Sequence, residues 1–523
     1  MSNNSPLNIY QEYLYKNLPH LDLSSLPMEK SAEKTDWENP SIAIELNNFA
    51  VIQILEAQNS QDIGLRQFYL ELAIETLETA IERENHPLCI AHLGIIKSLT
   101  GEVNSAHNLQ YTTIIEILPL VFSCQEESIA GLIYLPIFNR NNSKNKENLE
   151  LIVKQNNSYL QALYLLIADL EQSQMVFYNS GGLRLLNLAN QIIPHSFNVK
   201  LNLGLSNLFN NLYEGLLYLH QAFNLQPENN KIIQALYLAY RNLNNHNLAN
   251  LFLEKGQKFY QNNPHDLSWR WASLPITNNW TYLEFDDNLL LTVEASFKSI
   301  VTAVLLAQED WFEIEMEMWR DEIKSGMTVI DVGANVGVYT FTAAKRVGKN
   351  GKVIAVEPFS KCVESLEETR KVNNLEWVEI CAGAAGETNK TVKLSLHQAS
   401  ELNEIIKDDS DIKGNYQEVE CFTLDSLVEK YHLSTVDWLK LDAEGNEIEV
   451  LQGSNHILSE FKPHILYENI AGSHSSNIPV AEFLQTIGYE LFYYQPFLKQ
   501  LIKLESLEEL SGKLNIIAQH SGK

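Results

Sequence analysis

An apolar strand that runs directly into a glycine-bearing turn is the feature that most constrains this chain. Residues 328–338 read Thr-Val-Ile-Asp-Val-Gly-Ala-Asn-Val-Gly-Val, and apolar residues at helical spacing follow. Glycines at 333 and 337 permit a sharp turn and let a ligand lie against bare backbone, which a Cβ would obstruct. The pattern predicts an α/β domain with a mostly parallel sheet and a ligand site at this turn.

The acidic residues around this turn indicate which ligand it binds. The next strand ends at Glu357, 20 residues past Gly337, where a carboxylate can accept hydrogen bonds from ribose hydroxyls. Asn335 replaces the middle glycine of a dinucleotide site, and Asp331 adds negative charge where a phosphate would be repelled. S-adenosylmethionine suits such a turn because it is cationic and carries no phosphate. We expect cofactor contacts from Asp331, Gly333, Ala334, Asn335, Gly337 and Glu357; a tight turn without a ligand is the alternative.

A second cluster of charged residues follows a later strand. Lys440 and Asp442 lie two residues apart, so their side chains share one face of a strand. A buried Lys440 needs a partner, which Asp442 or Glu444 would supply. Glu468 ends another strand at the same edge, where open parallel sheets bind ligands. These four residues are the predicted catalytic group, and a structural salt bridge is the alternative.

Five motifs in order resemble the FkbM-type methyltransferases, over about residues 276–490. They are Asp331-Val-Gly-Ala-Asn-Val-Gly337, Glu357-Pro358, Thr423-Leu-Asp-Ser-Leu427, Lys440-Leu-Asp-Ala-Glu-Gly445 with Glu447, and Pro463-His-Ile-Leu-Tyr-Glu468. The resemblance implies O-methylation of a hydroxyl on a sugar, a glycan or a secondary metabolite. Asn446 stands where the family usually has a histidine, which puts a proton-relay role for that position in doubt.

The chemistry of methyl transfer assigns roles to the second cluster. A hydroxyl is a poor nucleophile and needs a base, for which Asp442 or Glu444 is the hypothesis. Lys440 would set the ionisation of the carboxylate or stabilise the developing alkoxide. A divalent metal bridging the acids is left open by the residues, and none is assigned. The alternative function is a repeat scaffold with a vestigial methyltransferase domain; the intact glycine turn favours a working enzyme.

The first half of the chain has the pattern of helices. We predict a mobile lead-in over 1–40, a tetratricopeptide-like helical domain over 41–268 and the methyltransferase domain over 269–523, opened by a β-hairpin near 280–293. A non-repetitive helical bundle is the alternative for 41–268. The repeat prediction depends on small residues and on prolines spaced by 33 and 37 residues, namely Leu93, Gly94, Gly101, Ala106, Gly215, Ala222, Pro194, Pro227 and Pro264.

Composition excludes several classes of protein. The 66 acidic residues against 38 Lys and Arg give a net charge of −28, which disfavours a nucleic-acid partner. Five scattered cysteines without a CxxC pair predict buried thiols rather than disulfides or zinc ligands. Neither a secretory signal nor a membrane span is predicted, so we expect a soluble cytoplasmic protein. Peptide, glycosyltransferase and homodimer contacts stay open as partners of the helical repeats.

Overall fold

The structure is a computed structural model that describes residues 5–102, 106, 109, 112–113, 129–136, 143–170, 180–275, 277, 279–396, 405–406, 415–470 and 476–522. The chain divides into two compact units. The first contains Met1–Ala189 with Gln495–Gln500, and the second contains Asn190–Tyr494 with Leu501–Lys523. The boundary predicted at 268/269 lies inside the second unit and stays a prediction.

The first unit is helical in its described part. Its helices α1 to α7 are Pro6–Asn17, Pro27–Lys34, Ala43–Asn59, Ile63–Arg83, Pro87–Leu99, Ser143–Val153 and Ser158–Leu170, and α8 (Ser180–Ile192) crosses into the second unit. Several begin with a side-chain cap; Asp62, for example, accepts from the Leu65 N–H at 2.9 Å. The apolar faces of α3 and α5 are almost wholly buried, which places them at the core.

Residues 6–34, within the predicted mobile lead-in 1–40, contain two helices in this structure, and the mobility of the lead-in stays a prediction. Helix α1 buries Tyr10, Tyr13 and Leu14, and α2 buries Met28 and Ala32. Both tyrosine hydroxyls bind backbone groups more than 120 residues away. Neither the periodicity nor the composition of this segment reveals such long-range partners.

An extended segment, residues 130–136, is buried among these helices. Its backbone is bonded by side chains: the Tyr10 hydroxyl accepts from the Ile133 N–H at 2.9 Å and donates to the Ile133 carbonyl at 3.1 Å. The Tyr134 N–H donates to Nε2 of His92 at 3.0 Å, so the His92 proton resides on Nδ1, which lies 2.7 Å from Oδ1 of Asn47. The neutral imidazole is therefore the form that this fold accommodates.

Stability of the first unit should fall as the pH decreases below about 6.5. Burial lowers the pKa of His92 to about 3, whereas the unfolded chain binds this proton near pH 6.5. Between these values the unfolded state holds the extra proton, so acid favours unfolding by up to about 1.4 kcal/mol per pH unit. The unfolding midpoint, followed by circular dichroism, should fall less steeply with pH in His92→Gln. Equal slopes in both proteins would contradict the burial of a neutral imidazole.

Helix pairs continue in the second unit. Helices α9 to α12 are Phe197–Phe209, Gly215–Leu225, Asn230–Asn242 and His246–Asn262. Pro194, Pro227 and Pro264 each follow a helix end by two residues, as the repeat pattern predicts. A Cβ at Gly215 would lie 2.5 Å from the Gly204 carbonyl oxygen, so α9 and α10 cross closely only with small residues there. The tetratricopeptide assignment itself stays a prediction.

The predicted hairpin is confirmed, and an α/β domain follows it. Strands β1 (Trp280–Phe285) and β2 (Leu289–Glu294) pair antiparallel. Helices α13 to α19 are Ile300–Gln308, Glu315–Glu322, Val338–Val347, Ser360–Val372, Leu424–Tyr431, Glu447–Gln452 and Ile478–Thr486. Strands β3 to β13 are Thr328–Val332, Lys352–Glu357, Val378–Ala382, Ala384–Ala385, Lys390–Ser395, Tyr416–Phe422, Trp438–Leu441, His464–Glu468, Tyr489–Gln495, Gln500–Lys503 and Asn515–His520.

The main sheet has eight strands in the order β12-β11-β13-β10-β9-β3-β4-β5. Strands β10, β9, β3, β4 and β5 are parallel, and β13 pairs antiparallel with β10 and β11, which confirms a mostly parallel sheet. The chain moves from β3 to β4 on one side and later reaches β9 on the other side. Ligands of such sheets bind beyond the carboxyl ends of the strands at this switch point.

The two faces of the sheet bury different side chains. One face packs Ile330, Ile354 and Leu439 against α17, α18 and α19. Alternate residues point to the opposite face, where Asp331 and Lys440 contact α15 through Thr340 and Tyr339. The polar pair thus lies beneath α15 rather than in the apolar layer.

The sequence predicted buried cysteine thiols and no membrane-spanning helix. Cys89, Cys362, Cys381 and Cys421 are buried free thiols, and Cys124 lies outside the described residues. Among the residues that the structure describes, no helix has the length and apolar character needed to cross a bilayer.

Candidate active site

The turn between β3 and α15 is built from backbone conformations that favour glycine and asparagine. Gly333, Asn335 and Gly337 have φ values of +76°, +50° and +94°. A Cβ at Gly333 would lie 1.7 Å from the Asp442 carbonyl oxygen, and the Asp442 N–H donates to the Val332 carbonyl at 3.1 Å. The end of β9 therefore lies directly against the turn, and only glycine permits this approach.

Glu357 fixes the turn from the neighbouring strand. Its Oε2 accepts from the Asn335 N–H at 2.7 Å, and its Oε1 accepts from the Phe359 N–H at 2.8 Å. Burial raises the pKa of Glu357 to about 7, although the two backbone donors oppose the shift. Each oxygen keeps a second acceptor position, so the carboxylate can still accept ligand hydroxyls.

A pocket opens beside Glu357 at the carboxyl ends of the central strands. It spans about 670 Å³, a volume that includes open solvent at its mouth. The pocket is lined by residues of the turn, of the ends of β4 and β9, and of the apolar positions 383–385, 394 and 405. The lining residues are Val332, Gly333, Asn335, Val356, Glu357, Pro358, Gly383, Ala384, Ala385, Leu394, Ile405, Asp442, Ala443 and Glu444. The lining includes apolar side chains and the carboxylates of Glu357, Asp442 and Glu444.

Three of the expected cofactor residues lie outside this lining. Asp331 is 2% exposed and accepts from the Thr340 hydroxyl at 2.5 Å; burial raises its pKa to about 6. Ala334 is buried, and its N–H donates to the Val356 carbonyl at 3.1 Å. Gly337 faces Phe341 and Leu366, where a Cβ would collide with both side chains. Their part in cofactor binding stays a prediction, and each has a visible role in shaping the turn.

Lys440 and Asp442 form the ion pair that their spacing predicts. Nζ of Lys440 lies 3.0 Å from Oδ2 of Asp442 and 4.9 Å from the centroid of the Tyr339 ring. Lys440 is 2% exposed, and the carboxylates around it hold its pKa above the ordinary range in spite of burial. The side chain of Asp442 is 33% exposed, so one end of this pair reaches the pocket.

The three predicted acids meet at the same edge. Carboxylate oxygens of Asp442, Glu444 and Glu468 all lie within 4.8 Å of one another. Burial, reinforced by the charges of Asp442 and Glu444, raises the pKa of Glu468 to about 10. The protonated form of Glu468 is therefore favoured, because three negative charges at this spacing repel one another. The positive charge beside Asp442 is the Lys440 ammonium.

A polar group behind Lys440 was not predicted from the sequence. The Tyr339 hydroxyl donates to Oε2 of Glu313 at 2.6 Å, and Nδ2 of Asn515 donates to Glu313 and Glu315 at 2.9 and 3.3 Å. Burial raises the pKa of Glu315 to about 8. Glu313 and Asn515 are about 200 residues apart, and no motif joins them; only the position of Tyr339 on the first turn of α15 could have been noticed.

The loop after β9 is held by Glu447 and Asn446. Oε1 of Glu447 accepts from the backbone N–H groups of Ala443 and Gly445 at 2.9 and 3.1 Å. Asn446 is buried and donates to the Ala385 carbonyl at 2.9 Å. Both residues shape the backbone that presents Asp442 and Glu444, so Asn446 has a structural contact in place of a proton relay.

Part of the chain that contains this site matches a known protein family. Residues 331–491 match the model of the methyltransferase FkbM domain. The resemblance found in the motifs is confirmed: the chain carries an FkbM-type domain of the S-adenosylmethionine-dependent methyltransferase class.

Individual relatives are distant. The ribosomal RNA large subunit methyltransferase E of Buchnera aphidicola is 32% identical over 82 residues, which cover 16% of this chain and 36% of that protein. The FkbM methyltransferase structure from Methylobacillus flagellatus is 14% identical, with a TM-score of 0.26, and the match covers 42% of this chain and 54% of that one. An O-methyltransferase structure from Thermotoga maritima is 14% identical, with a TM-score of 0.24, covering 48% and 95%. The chain thus spans about a third and about half of the length of the first two.

Proposed function

We propose that this protein transfers a methyl group from S-adenosylmethionine to a hydroxyl of a sugar, a glycan or a secondary metabolite. The observation that carries the proposal is the ion pair of Lys440 and Asp442 at the wall of a pocket that also contains Glu357. A ribose-binding carboxylate and a base then line the same pocket. Positioning of the two reactants is the main requirement for methyl transfer.

The residues of the pocket suit the cofactor. Glu357 has free acceptor positions for the ribose hydroxyls of the cofactor. Leu394 and Ile405 offer apolar surface for its adenine ring. The carboxylate of Glu444, which lines the pocket, matches the charge of a sulfonium or an α-ammonium group. When bound, S-adenosylmethionine supplies an electrophilic methyl group.

Asp442 is the best placed base. The raised pKa of Glu468 favours its protonated form, which cannot act as a base at the protonated oxygen. Lys440 orients one oxygen of Asp442 by a 3.0 Å contact, and Tyr339 and Glu313 limit where the ammonium can move. A hydroxyl that approaches Asp442 loses its proton to the carboxylate as the C–O bond forms.

The charge of the chain supports an acceptor without phosphates. A net charge of −28 repels a nucleic-acid backbone, and three of the residues at the pocket edge are acidic. The Buchnera relative is named as a ribosomal RNA methyltransferase. For this protein we propose instead a neutral, hydroxyl-rich acceptor. The helical repeats are proposed to hold this acceptor or a partner protein.

The proposal is tested by product identification. Purified protein is incubated with methyl-labelled S-adenosylmethionine and a cell extract separated into glycans, small metabolites and RNA. We expect label in the glycan or metabolite fraction, attached as a methyl ether that resists mild base. Label confined to RNA, or to nitrogen or carbon atoms of the product, would contradict O-methylation of such an acceptor. Failure to bind the cofactor in calorimetry would favour the scaffold alternative.

A further inference from the structure

The extended segment 130–135 in the first unit is bound in the manner of a peptide ligand. All of its residues are at most 3% exposed where a value is given, yet it belongs to no helix or strand. Side chains satisfy nine backbone N–H and C=O groups of residues 131–135. Buried backbone normally pairs with other backbone, so this arrangement is unusual for an internal chain segment.

Six side chains on four helices make these contacts. Gln161 binds both backbone groups of Gly131 at 2.8 and 3.2 Å, and the Tyr13 hydroxyl binds both groups of Leu135 at 3.2 and 2.9 Å. The remaining four are Tyr10, Asn47, Asn48 and His92, from α1, α3 and α5. We call these six side chains and the space between them the groove. They bind main-chain atoms, so the contacts would form with any extended chain of suitable shape.

The groove selects the side chains of its occupant by size and polarity. A Cβ at Gly131 would lie 2.7 to 2.9 Å from side-chain atoms of Leu88, Ile44 and Asn47, so a larger residue must displace these side chains and glycine is favoured here. The four residues that follow are Leu-Ile-Tyr-Leu, and the Tyr134 ring lies 6.1 Å from the ring of Tyr13. The six groove side chains carry no formal charge, because burial keeps His92 neutral. A glycine followed by four uncharged, mostly apolar residues is therefore the matching sequence.

The helices that form the groove also pack on one another. Helix α3 contacts α1, α4 and α5, and α5 contacts α7. These contacts are made directly between helices and do not involve residues 130–135. The helices that form the groove therefore pack on one another independently of that segment. A peptide from another protein could make each of the nine hydrogen bonds in the same geometry.

We propose that the groove is a peptide-binding site, that residues 130–135 occupy it as an internal ligand, and that an extended apolar segment of a partner protein, beginning with glycine, binds there in exchange. Binding of this kind gives the helical unit a partner whose recognition is independent of the methyltransferase site. The contacts to the main chain supply affinity, and the glycine and aromatic positions supply selectivity.

The experiment uses the full chain and a labelled peptide of sequence Ile-Ala-Gly-Leu-Ile-Tyr-Leu-Pro, identical to residues 129–136. In Gly131→Trp, the large side chain is expected to prevent the internal segment from binding in the groove and so to leave the groove accessible. We expect this variant to bind the peptide at least tenfold more tightly than the unmodified protein, measured by fluorescence anisotropy. A peptide with valine in place of its glycine is the matched control and should not bind. Equal binding of both peptides, or no gain over the unmodified protein, overturns the proposal.

A measurement on the unmodified chain covers the case in which Gly131→Trp does not fold. Hydrogen exchange is followed by mass spectrometry with and without excess peptide. We expect the amides of residues 131–135 to exchange faster than the core of α3, and the glycine peptide to accelerate their exchange at least threefold. Exchange that matches the α3 core and does not respond to peptide would show a permanent part of the core and overturn the proposal.

Discussion

Replacing Gly333 with alanine is expected to abolish measurable binding of S-adenosylmethionine. The added Cβ would lie 1.7 Å from the Asp442 carbonyl oxygen, a backbone atom that cannot rotate away. The turn and the end of β9 must separate to relieve this collision. That separation moves Asn335 from Glu357 and opens the pocket wall, so we expect affinity to fall at least 100-fold in calorimetry.

Gly512→Ala provides the matched control for backbone conformation. Gly512 has a φ of +78°, close to the +76° of Gly333, but nothing lies within 4 Å of its added Cβ. It should cost about 1–2 kcal/mol of stability and leave cofactor affinity unchanged. Equal loss of binding in the two variants would show that global destabilisation, rather than the contact of the turn with β9, controls the site.

Asp442→Asn is expected to reduce methyl transfer by about 100- to 10,000-fold while leaving cofactor affinity within about threefold. Asparagine keeps the size of the side chain and an oxygen for Lys440, but it does not accept a proton from a hydroxyl. Single-turnover incorporation of labelled methyl into the acceptor measures the effect apart from product release. An unchanged rate would remove Asp442 from the chemistry and return the role of base to Glu444.

Two further variants separate the base from its neighbours. Glu468→Gln imitates the protonated carboxyl that the structure indicates, so it should reduce turnover less than tenfold. Glu490→Gln breaks an exposed pair with Lys503, at 2.5 Å, and should have no effect on methyl transfer. A greater loss in Glu468→Gln than in Asp442→Asn would reverse the assignment of the two acids.

The site residues that were found from sequence share a property of their positions. Glu357, Asp442 and Glu468 each stand at or just past the carboxyl end of a strand, and Gly333 follows another strand directly. Since the carboxyl ends of neighbouring parallel strands meet at one edge, local patterns were enough to bring these residues together. Lys440 and Asp442 were paired for a similar local reason, the two-residue period of a strand.

Residues that act over long separations were not found. Asn515 meets Glu313 across 202 residues, and Tyr10 meets Ile133 across 123. Asp331 was expected at the ligand; the structure places it in a hydrogen bond with the Thr340 hydroxyl of α15, and its role at the ligand stays a prediction. Whether a side chain points at a pocket or beneath a helix depends on how the helix packs, which strand and turn patterns do not specify.

The sequence by itself determined the α/β class of the second half, the glycine turn and the acids at the sheet edge, because each depends on backbone geometry within a few residues. Tertiary structure alone decided that the pKa of Glu468 is raised, that Asp331 is buried, and that residues 130–135 occupy a groove. These outcomes depend on burial and on contacts between distant residues, and the free energy of a charge or a backbone group changes with such surroundings.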